Sequence, residues 1–404
     1  MAETRLALID FGFNPWSPYW KRNQTLVYLL VERGVFERAV FVNRPIWPAD
    51  LPRLLRRPVT GPTRHWLTAL LPRRVHPRIL AITPLVHTSG GRLRAFNLGG
   101  LQRYLAALGQ LPVPAVAVVN HPSRFIDPLL SALPVTPVGR VFDLSDDFRC
   151  FSSDPREQAE AAAWCEGEFA RADLVLSVNE HVDAWVRSVT SASVVVRNAT
   201  PFFTLGRAGQ AHSPTRALRR LARLRRPVIG YAGWLISLRL DLELLEYIVR
   251  QRPEWTFVFV GPTNEPRPLG DWIPARANVK VWPPVPYGEL VHLLSSFDVA
   301  IMPHLRNAYT RGNDSLKIYD YLATGRPVVA TRTSGAEHFA SVLRLADRPE
   351  DFLREIEGAL AETDPELARQ RVAAARLHSW DRRIEEVERA MRALLPCLAA
   401  VEAT

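Results

Sequence analysis

Short apolar runs alternate with helical patterns along the chain, and this alternation constrains the fold more than any other feature. The runs lack strict apolar–polar alternation, which indicates strands buried on both faces of a sheet. Strands separated by helices are typical of parallel sheets covered by helices. In the first half we expect strands at 5–10, 39–43, 115–120, 139–144, 174–178 and 194–196, with helices at 21–33, 99–108 and 155–171.

The alternation stops in a polar, arginine-rich stretch and starts again near Pro227. This restart predicts two doubly wound, Rossmann-like α/β domains whose strand ends face a central cleft. The expected division is a domain at 1–197, a linker at 198–226, a second domain at 227–379 and a helix at 380–404 that could lie on either domain. The later strands are expected at 228–231, 256–260, 279–282, 299–302 and 328–330, with helices at 240–250, 287–296 and 315–324.

The bulk composition is that of a globular protein. No run approaches the roughly 20 apolar residues of a membrane span, and the first residues enter a strand pattern without the features of a signal peptide. The three cysteines are odd in number and not in metal-ligand spacing, which suits a reducing compartment. We expect a cytoplasmic protein, with peripheral attachment to the inner face of the plasma membrane left open.

The net charge of +10 is unevenly spread, because no Asp or Glu occurs between Asp50 and Asp127. Three interpretations of this acid-free basic region, 51–126, remain open. The first is a solvated face, the second is attraction to an anionic membrane surface or a lipid-phosphate acceptor, and the third is binding of nucleic acid. No recognised nucleic-acid module supports the last interpretation, so we expect no nucleic-acid partner. The arginines of the region are Arg53, Arg56, Arg57, Arg64, Arg73, Arg74, Arg78, Arg92, Arg94, Arg103 and Arg124.

Lys317, one of three lysines, falls in the first turn of a predicted helix within RGNDSLKIYDYLATGRPVVAT, residues 311–331. A helix N-terminus disfavours a cation unless an anion joins it. A solvated stripe, with Lys317 paired to Asp320, is the alternative to a ligand site. The otherwise apolar helix and the strand before it favour a ligand, because the N-terminus beside Arg311 suits phosphate. Lys317 would then meet a diphosphate, and Asp320 ribose hydroxyls.

The string DVAIMPHLRNAYTRGNDSLKIYDYLATGRPVVAT resembles the donor-binding signature of GT-B glycosyltransferases, particularly the bacterial family 4-like group (glycosyl transferases group 1). The resemblance covers most of 115–390 and is specific in the second domain. Other stretches that look similar to this group are VIGYAGWLISLRLDLELL, VWPPVPYGELVHLLSSFDVAIMP, VVVRNATPFF and VFDLSDDF.

The resemblance implies a nucleotide diphosphate-sugar, UDP- or GDP-linked, as co-substrate, with no other cofactor and no metal. Gly233 would let the backbone approach the phosphates, Arg239 would add charge, and the backbone around Val285 would meet the base. Lys317 and Asp320 would keep the roles argued above.

One departure from the family pattern concerns the sugar contact. The family often places two glutamates eight residues apart, whereas here the second position is Asp320 and the first is Gly312. Asn313 or Asp314 could replace that contact. Ser315, with these two, is also a good helix N-cap residue, and we expect all three to contact the donor at this N-terminus.

Three carboxylates, Asp143, Asp146 and Asp147, follow an apolar strand in VGRVFDLSDDFRCF. They could be turn and cap residues, or one could be the general base that deprotonates an acceptor hydroxyl. Some inverting GT-B enzymes look similar here and use the aspartate of a Ser-Asp pair, which carries over to Asp146. Family 4 resemblance favours retention, so the stereochemistry stays open.

Two further strand ends carry candidate residues of the first domain. His121, in VVNHPSRF, could contact the acceptor or the transferred sugar, or could simply cap or pack. Gly12 could allow close approach of a ligand. Trp16, Tyr19 and Trp20 could form an apolar acceptor platform, or could pack beneath a loop.

We therefore predict a metal-independent glycosyltransferase that acts on a glycan, lipid-linked saccharide or small-molecule acceptor in bacterial polysaccharide or glycoconjugate biosynthesis. A nicotinamide dehydrogenase is disfavoured, because FGFNPW stands where G-x-G-x-x-G is required. A sugar-nucleotide epimerase of GT-B type and a non-catalytic GT-B scaffold remain alternatives. Product analysis would distinguish an epimerase, which converts the nucleotide sugar without an acceptor. Donor binding without turnover would indicate a scaffold.

Overall fold

The structure, a computed structural model, describes residues 6–50, 70–89, 92–95, 101–107, 112–204, 215–263, 276–395 and 398. The chain forms two compact units, residues 1–197 with 384–404 and residues 198–383. The segment that the sequence assigns to a linker is built into the second unit. Asn198 and Thr200 hydrogen-bond there, and part of the segment, Arg216–Leu221, is helical.

The first unit contains an eight-stranded sheet in the order β10-β9-β8-β7-β1-β2-β4-β3. Its strands pair in parallel except β3, which is antiparallel to β4. A separate hairpin is formed by β5 and β6. The strands of this unit are β1 (Ala7–Phe11), β2 (Arg38–Val42), β3 (Arg73–His76), β4 (Ile79–Ile82), β5 (Val86–Ser89), β6 (Arg92–Ala95), β7 (Val113–Val119), β8 (Val135–Leu144), β9 (Leu174–Ser177) and β10 (Ser193–Val195).

Helices connect the strands of the first unit. The longest begins at Pro155, where the side chain of Asp154 accepts a hydrogen bond from the Arg156 N–H, as expected for an N-cap followed by proline. The helices are α1 (Arg22–Glu32), α2 (Leu101–Ala106), α3 (Ile126–Ser131), α4 (Pro155–Arg171) and α5 (Glu180–Arg187), with 3₁₀ turns at Pro48–Asp50 and Phe148–Phe151.

The second unit contains a six-stranded sheet in the order β13-β12-β11-β14-β15-β16, and all its pairs are parallel. Its strands are β11 (Val228–Ala232), β12 (Thr256–Val260), β13 (Val279–Trp282), β14 (Val299–Met302), β15 (Val328–Ala330) and β16 (Arg344–Leu345). Its helices are α6 (Arg216–Leu221), α7 (Leu242–Gln251), α8 (Tyr287–Ser295), α9 (Ala308–Arg311), α10 (Leu316–Ala323), α11 (Ser334–Glu337), α12 (Pro349–Leu360) and α13 (Pro365–Leu377); α14 (Trp380–Leu394) runs from this unit into the first.

Burial on both faces explains the continuous apolar runs of the second sheet. In β12, Phe257 and Phe259 belong to one hydrophobic cluster, whereas Val258 and Val260 belong to another. Successive side chains of a strand point to opposite faces, so each face of this sheet packs against its own helices. The predicted α/β class with two parallel sheets is confirmed.

The expected strands are present, most within one or two residues of their predicted ends. The strands β3 to β6 are additions, in the acid-free basic region, where the sequence indicated no strand. Each spans only four residues, which is too short to show a clear period of two, and β3 and β6 each contain two arginines. Much of that region lies outside the described residues. No helix in the described part of the chain is long and apolar enough to cross a membrane.

Candidate donor site and first-unit candidates

Two glycines follow neighbouring parallel strands at the carboxyl edge of the second sheet. Gly233 follows β11 and Gly261 follows β12, both with φ of +155°. A Cβ on Gly261 would lie 1.8 Å from the carbonyl oxygen of Gly233, and a Cβ on Gly233 would lie 1.8 Å from Cε of Lys317. Both positions therefore require glycine, and the Lys317 side chain lies in the space that the absent Cβ of Gly233 leaves.

Lys317 lies in the first turn of α10, as the sequence predicts. The helix begins at Leu316, and its first turn contains no acidic residue. Lys317 Nζ lies 5.5 Å from the centroid of the Tyr231 ring, whose face attracts cations. The ammonium group and the positive end of the helix dipole therefore reinforce each other, and together they favour an anion.

Ser315, the N-cap of α10, makes no capping hydrogen bond through its side chain. Its Oγ is buried and has no hydrogen-bond partner among the described residues. An N-cap serine ordinarily accepts from the N–H groups of the first turn, and a buried hydroxyl without a partner is costly. A ligand oxygen at this N-terminus would accept its hydrogen bond, which supports the predicted donor contact.

His304, just after β14, is a residue of this edge that the sequence reasoning missed. It is buried, its ring packs edge-on against Tyr231 at 6.1 Å between centroids, and its Nε2 has no hydrogen-bond partner in the described residues. Burial lowers the pKa of His304 well below its usual value, and the charges of Lys317 and Arg239 lower it further. The imidazole is therefore neutral. In the sequence, the feature that could have identified His304 as a site residue was its position after a strand.

Arg239 lies on the same part of the edge, since its charge and that of Lys317 both act on His304. It donates to the hydroxyl of Tyr309, and its guanidinium lies 5.2 Å from the centroid of that ring. The structure thus brings Gly233, Lys317 and Arg239 together. The remaining predicted donor residues lie in or beside loops of the same unit: Arg311 at the end of α9, Asn313 before α10, and Val285 between β13 and α8.

Asp320 and Asp314 are buried and bonded within the second unit. Asp320 Oδ1 accepts from Thr200 Oγ1 at 2.7 Å and from the Tyr287 hydroxyl at 2.6 Å. Asp314 Oδ2 accepts from the Asn198 N–H at 2.7 Å, and both its oxygens lie within 2.9 Å of the Tyr319 hydroxyl. These bonds hold the start of the unit to α10. The ribose contact of Asp320 and the sugar contact of Asp314 stay predictions.

Gly233→Ala is expected to lower transfer by about 10²-fold, because the new Cβ must displace Lys317 by more than the 1 Å that typically costs this much. Gly34→Ala is the matched control: Gly34 also has positive φ, at +75°, but a Cβ there meets nothing within 4 Å. Both variants are compared by transfer assay and thermal unfolding midpoint. Equal activity losses in the two would exclude displacement of Lys317 as the cause.

In the first unit, Asp143 and Asp147, near the end of β8, have structural roles. Asp143 is fully buried in an ion pair with Arg22, at 2.8 Å between its Oδ1 and Nη2 of the arginine. Arg22 also donates to the Val196 carbonyl. Asp147 caps the following 3₁₀ turn and accepts from the Arg149 guanidinium. Asp146 lies between them, partly exposed, and its role as a base stays a prediction.

His121 follows β7 and is buried beside Phe13, at 5.8 Å between ring centroids. Burial lowers the pKa of His121 to about 3, and the charge of Arg44 adds to this effect. Its Nδ1 is buried and without a hydrogen-bond partner in the described residues. The ring is therefore neutral at physiological pH, and its contact with acceptor or sugar stays a prediction.

Packing accounts for the glycine and the aromatic residues after β1. A Cβ on Gly12 would lie 2.4 Å from Cζ of Phe41. The Trp16 ring packs edge-on against Phe41 at 5.1 Å and against Trp20 at 5.9 Å between centroids. Tyr19 is partly exposed in the same loop. The acceptor platform stays a prediction.

The predicted independence from metal can be compared with the arrangement of potential metal ligands. Among the described residues, no group of three or more His, Cys, Asp or Glu side chains is placed to hold a metal ion. Metal independence stays a prediction, which transfer assays with and without a chelator would test.

Similarity in sequence is concentrated in the second unit. Residues 226–362 match the family model of glycosyl transferases group 1. A 160-residue segment is 28% identical to the putative teichuronic acid biosynthesis glycosyltransferase TuaH of Bacillus subtilis (strain 168). That alignment covers 38% of this chain and 40% of TuaH, so it spans less than half of this curated relative.

Similarity in structure extends over almost the whole chain. Sucrose-phosphate synthase from Thermosynechococcus elongatus superposes with a TM-score of 0.64 at 16% identity, covering 97% of this chain and 99% of that one. Anabaena HepE in complex with UDP and glucose gives 0.64 at 14% identity, covering 97% and 100%. An alpha,alpha-trehalose-phosphate synthase (UDP-forming) from Burkholderia vietnamiensis gives 0.62 at 13%, covering 96% and 100%. The chain therefore has the GT-B fold, and its residues 226–362 are similar to the glycosyl transferases group 1 family.

Proposed function

We propose that this chain is a glycosyltransferase that moves a sugar from a UDP- or GDP-linked donor to a hydroxyl of a glycan, a lipid-linked saccharide or a small molecule. The observation that carries the proposal is the position of Lys317, in the first turn of α10 and packed across Gly233. It lies beside the Ser315 hydroxyl, which has no hydrogen-bond partner in the part of the chain that the structure describes. This arrangement suits a diphosphate. The group 1 family match and the structural neighbours solved with UDP support a nucleotide donor.

Stabilisation of the leaving diphosphate would be the main catalytic contribution. Negative charge builds on the diphosphate as the glycosidic bond breaks, and fixed positive groups near it lower the barrier. Lys317, Arg239 and the N-terminus of α10 are three such groups. The His304 imidazole is neutral, so it adds no positive charge that would repel Lys317 and Arg239.

Thermal-shift measurements with UDP, GDP and their sugars would test donor binding, followed by product analysis with candidate acceptors. Transfer to an acceptor, lost in Lys317→Ala, supports the proposal. Donor binding without turnover would favour the scaffold, for which Gly312 in place of a family glutamate is the motivating feature. Conversion of the donor sugar without any acceptor would favour the epimerase. No binding of any nucleotide by the full chain would refute all three.

We propose Asp146 as the general base if the reaction inverts. Asp146→Asn is then expected to lower kcat by about 10²- to 10⁴-fold, the usual contribution of general-base catalysis. Asp147→Asn is the matched control: it removes a neighbouring carboxylate that pairs with the Arg149 guanidinium, so it should lower thermal stability more than transfer by folded protein. A loss below tenfold in Asp146→Asn, or a product with retained anomeric configuration by NMR, would count against the base.

The pathway and location are further parts of the proposal. The similarity to TuaH, a putative teichuronic acid biosynthesis glycosyltransferase, supports bacterial polysaccharide synthesis. We place the protein in the cytoplasm, and the absence of acidic residues from 51–126 supports peripheral attachment to an anionic membrane. The vesicle experiment below tests this attachment.

A further inference from the structure

Three side chains from β2, β3 and α2 share one face of the first sheet. Arg38 and Val40 alternate onto the same side of β2. Val40 pairs with Leu80 of β4, and Leu80 pairs with Arg74 of β3, so Arg74 points to that side as well. Tyr104 of α2 belongs to the same core cluster as Val40 and Leu80. Arg38, Arg74 and Tyr104 are called the Arg38 cluster below.

The polar atoms of this cluster are poorly satisfied. The guanidinium carbon of Arg38 lies 5.0 Å from the centroid of the Tyr104 ring. Tyr104 is 8% exposed, and its hydroxyl interacts with the Arg38 side chain. Beyond each other, neither this hydroxyl nor Nε of Arg38 has a hydrogen-bond partner among the described residues. Burial raises the pKa of Tyr104, and the charges of Arg38, Arg74 and Arg78 oppose that rise. Three cations therefore lie near one buried phenol.

The cluster also lacks a counter-charge. Arg78 pairs with Glu32, but within the described residues neither Arg38 nor Arg74 forms a salt bridge. The sequence offers no Asp or Glu between Asp50 and Asp127. Arg74 is exposed and Arg38 partly so, which leaves their guanidinium groups open to an anion from solvent.

We propose that the Arg38 cluster is a binding site for a phosphate group. Two guanidinium groups and a phenolic donor match the oxygens of a phosphate, which forms strong charge-assisted hydrogen bonds with arginine. Arg38 is the first residue of β2, so the site lies at the opposite end of that strand from the candidates that follow the carboxyl ends. It stands apart from the transfer reaction. The phosphate is either a lipid headgroup or free phosphate.

The adjacent arginine gives a matched control. Arg73 and Arg74 are both exposed on β3, but successive side chains point to opposite faces, so only Arg74 faces Tyr104. Phosphate affinity of the full chain is measured by calorimetry with inorganic phosphate at fixed ionic strength. Arg74→Gln and Tyr104→Phe are each expected to weaken it by about tenfold, the scale of a hydrogen bond to a charged group. Arg73→Gln is expected to stay within twofold, and an unchanged melting temperature in Tyr104→Phe would exclude misfolding.

Sedimentation with phosphatidylcholine vesicles, with and without phosphatidic acid, identifies the source. Binding that needs phosphatidic acid, survives Arg73→Gln and is competed by inorganic phosphate supports a lipid headgroup. Phosphate binding in calorimetry without vesicle binding supports free phosphate. Equal losses in Arg73→Gln and Arg74→Gln, or no binding to either probe, would overturn the site.

Discussion

Lys317→Ala is expected to abolish most transfer while leaving the fold intact. Removing one fixed group that stabilises developing charge typically costs about 10²- to 10³-fold in kcat, or roughly 2.7–4 kcal/mol. The loss should fall mainly on kcat rather than on KM, because negative charge on the diphosphate is greatest once the sugar bond has broken. The side chain lies against Gly233 and over the Tyr231 ring, and its truncation leaves the apolar core of the second unit in place, so the melting temperature should shift little.

Lys280→Ala is the matched control for this prediction. Lys280 is a lysine of the same unit, and its Nζ donates to the Ala277 carbonyl at 2.7 Å. The same truncation there should leave transfer within twofold of the parent. Steady-state kinetics with the donor identified by thermal shift would be measured for both. Near-normal turnover in Lys317→Ala would show that Lys317 does not stabilise the diphosphate, and the proposed function would lose its main support.

Arg22→Met is expected to destabilise the first unit strongly. Arg22 and Asp143 are both buried, and removing one partner of a buried ion pair leaves an uncompensated charge, at a cost of about 3–5 kcal/mol in free energy of unfolding. The buried carboxyl of Asp10 adds to the cost, since it and Asp143 already interact unfavourably. Urea unfolding followed by circular dichroism would measure the change.

Arg33→Met controls for the loss of an arginine pair that is not buried. Arg33 is 41% exposed and pairs with Glu388, so its loss should cost about 1 kcal/mol or less. The double variant Arg22→Met, Asp143→Leu should recover most of the stability lost in the single variant, because neither charge is then left alone. If Arg22→Met unfolds no more easily than Arg33→Met, the buried pair does not hold this unit together.

The fold was readable from local sequence, and so were the positions of two candidate donor residues on their elements. Strand runs, helix periodicity and the rule that ligands bind at carboxyl strand ends placed Gly233 and Lys317 correctly relative to their elements. The same rule would have found His304, two residues beyond the end of β14, had each loop after a strand been considered. Its neutral state, however, depends on burial and on two cations that no local pattern reveals.

Partners distant in sequence could not be predicted. Asp143 meets an arginine 121 residues away, and Asp320 meets a hydroxyl 120 residues away. An exposed carboxylate and a buried, paired one have the same local sequence signature, because pairing is decided by tertiary packing. The acid-free basic region illustrates another limit. Its arginine content was evident, but the sequence did not predict the strand at 73–76. That strand places Arg73 and Arg74 on opposite faces, and its pairing with β4 shows which face Arg74 is on.

The two glycines at the carboxyl edge have a consequence for engineering this chain. The Gly233 carbonyl occupies the space where a side chain on Gly261 would lie, and Lys317 occupies the space where a side chain on Gly233 would lie. The two glycines and the lysine therefore pack in series. A substitution at Gly261 would shift the backbone on which Lys317 rests, although Gly261 itself does not touch that side chain. Libraries that aim to change donor preference should therefore keep both glycines fixed and vary Val285 and Asn313, which lie in other loops of this unit.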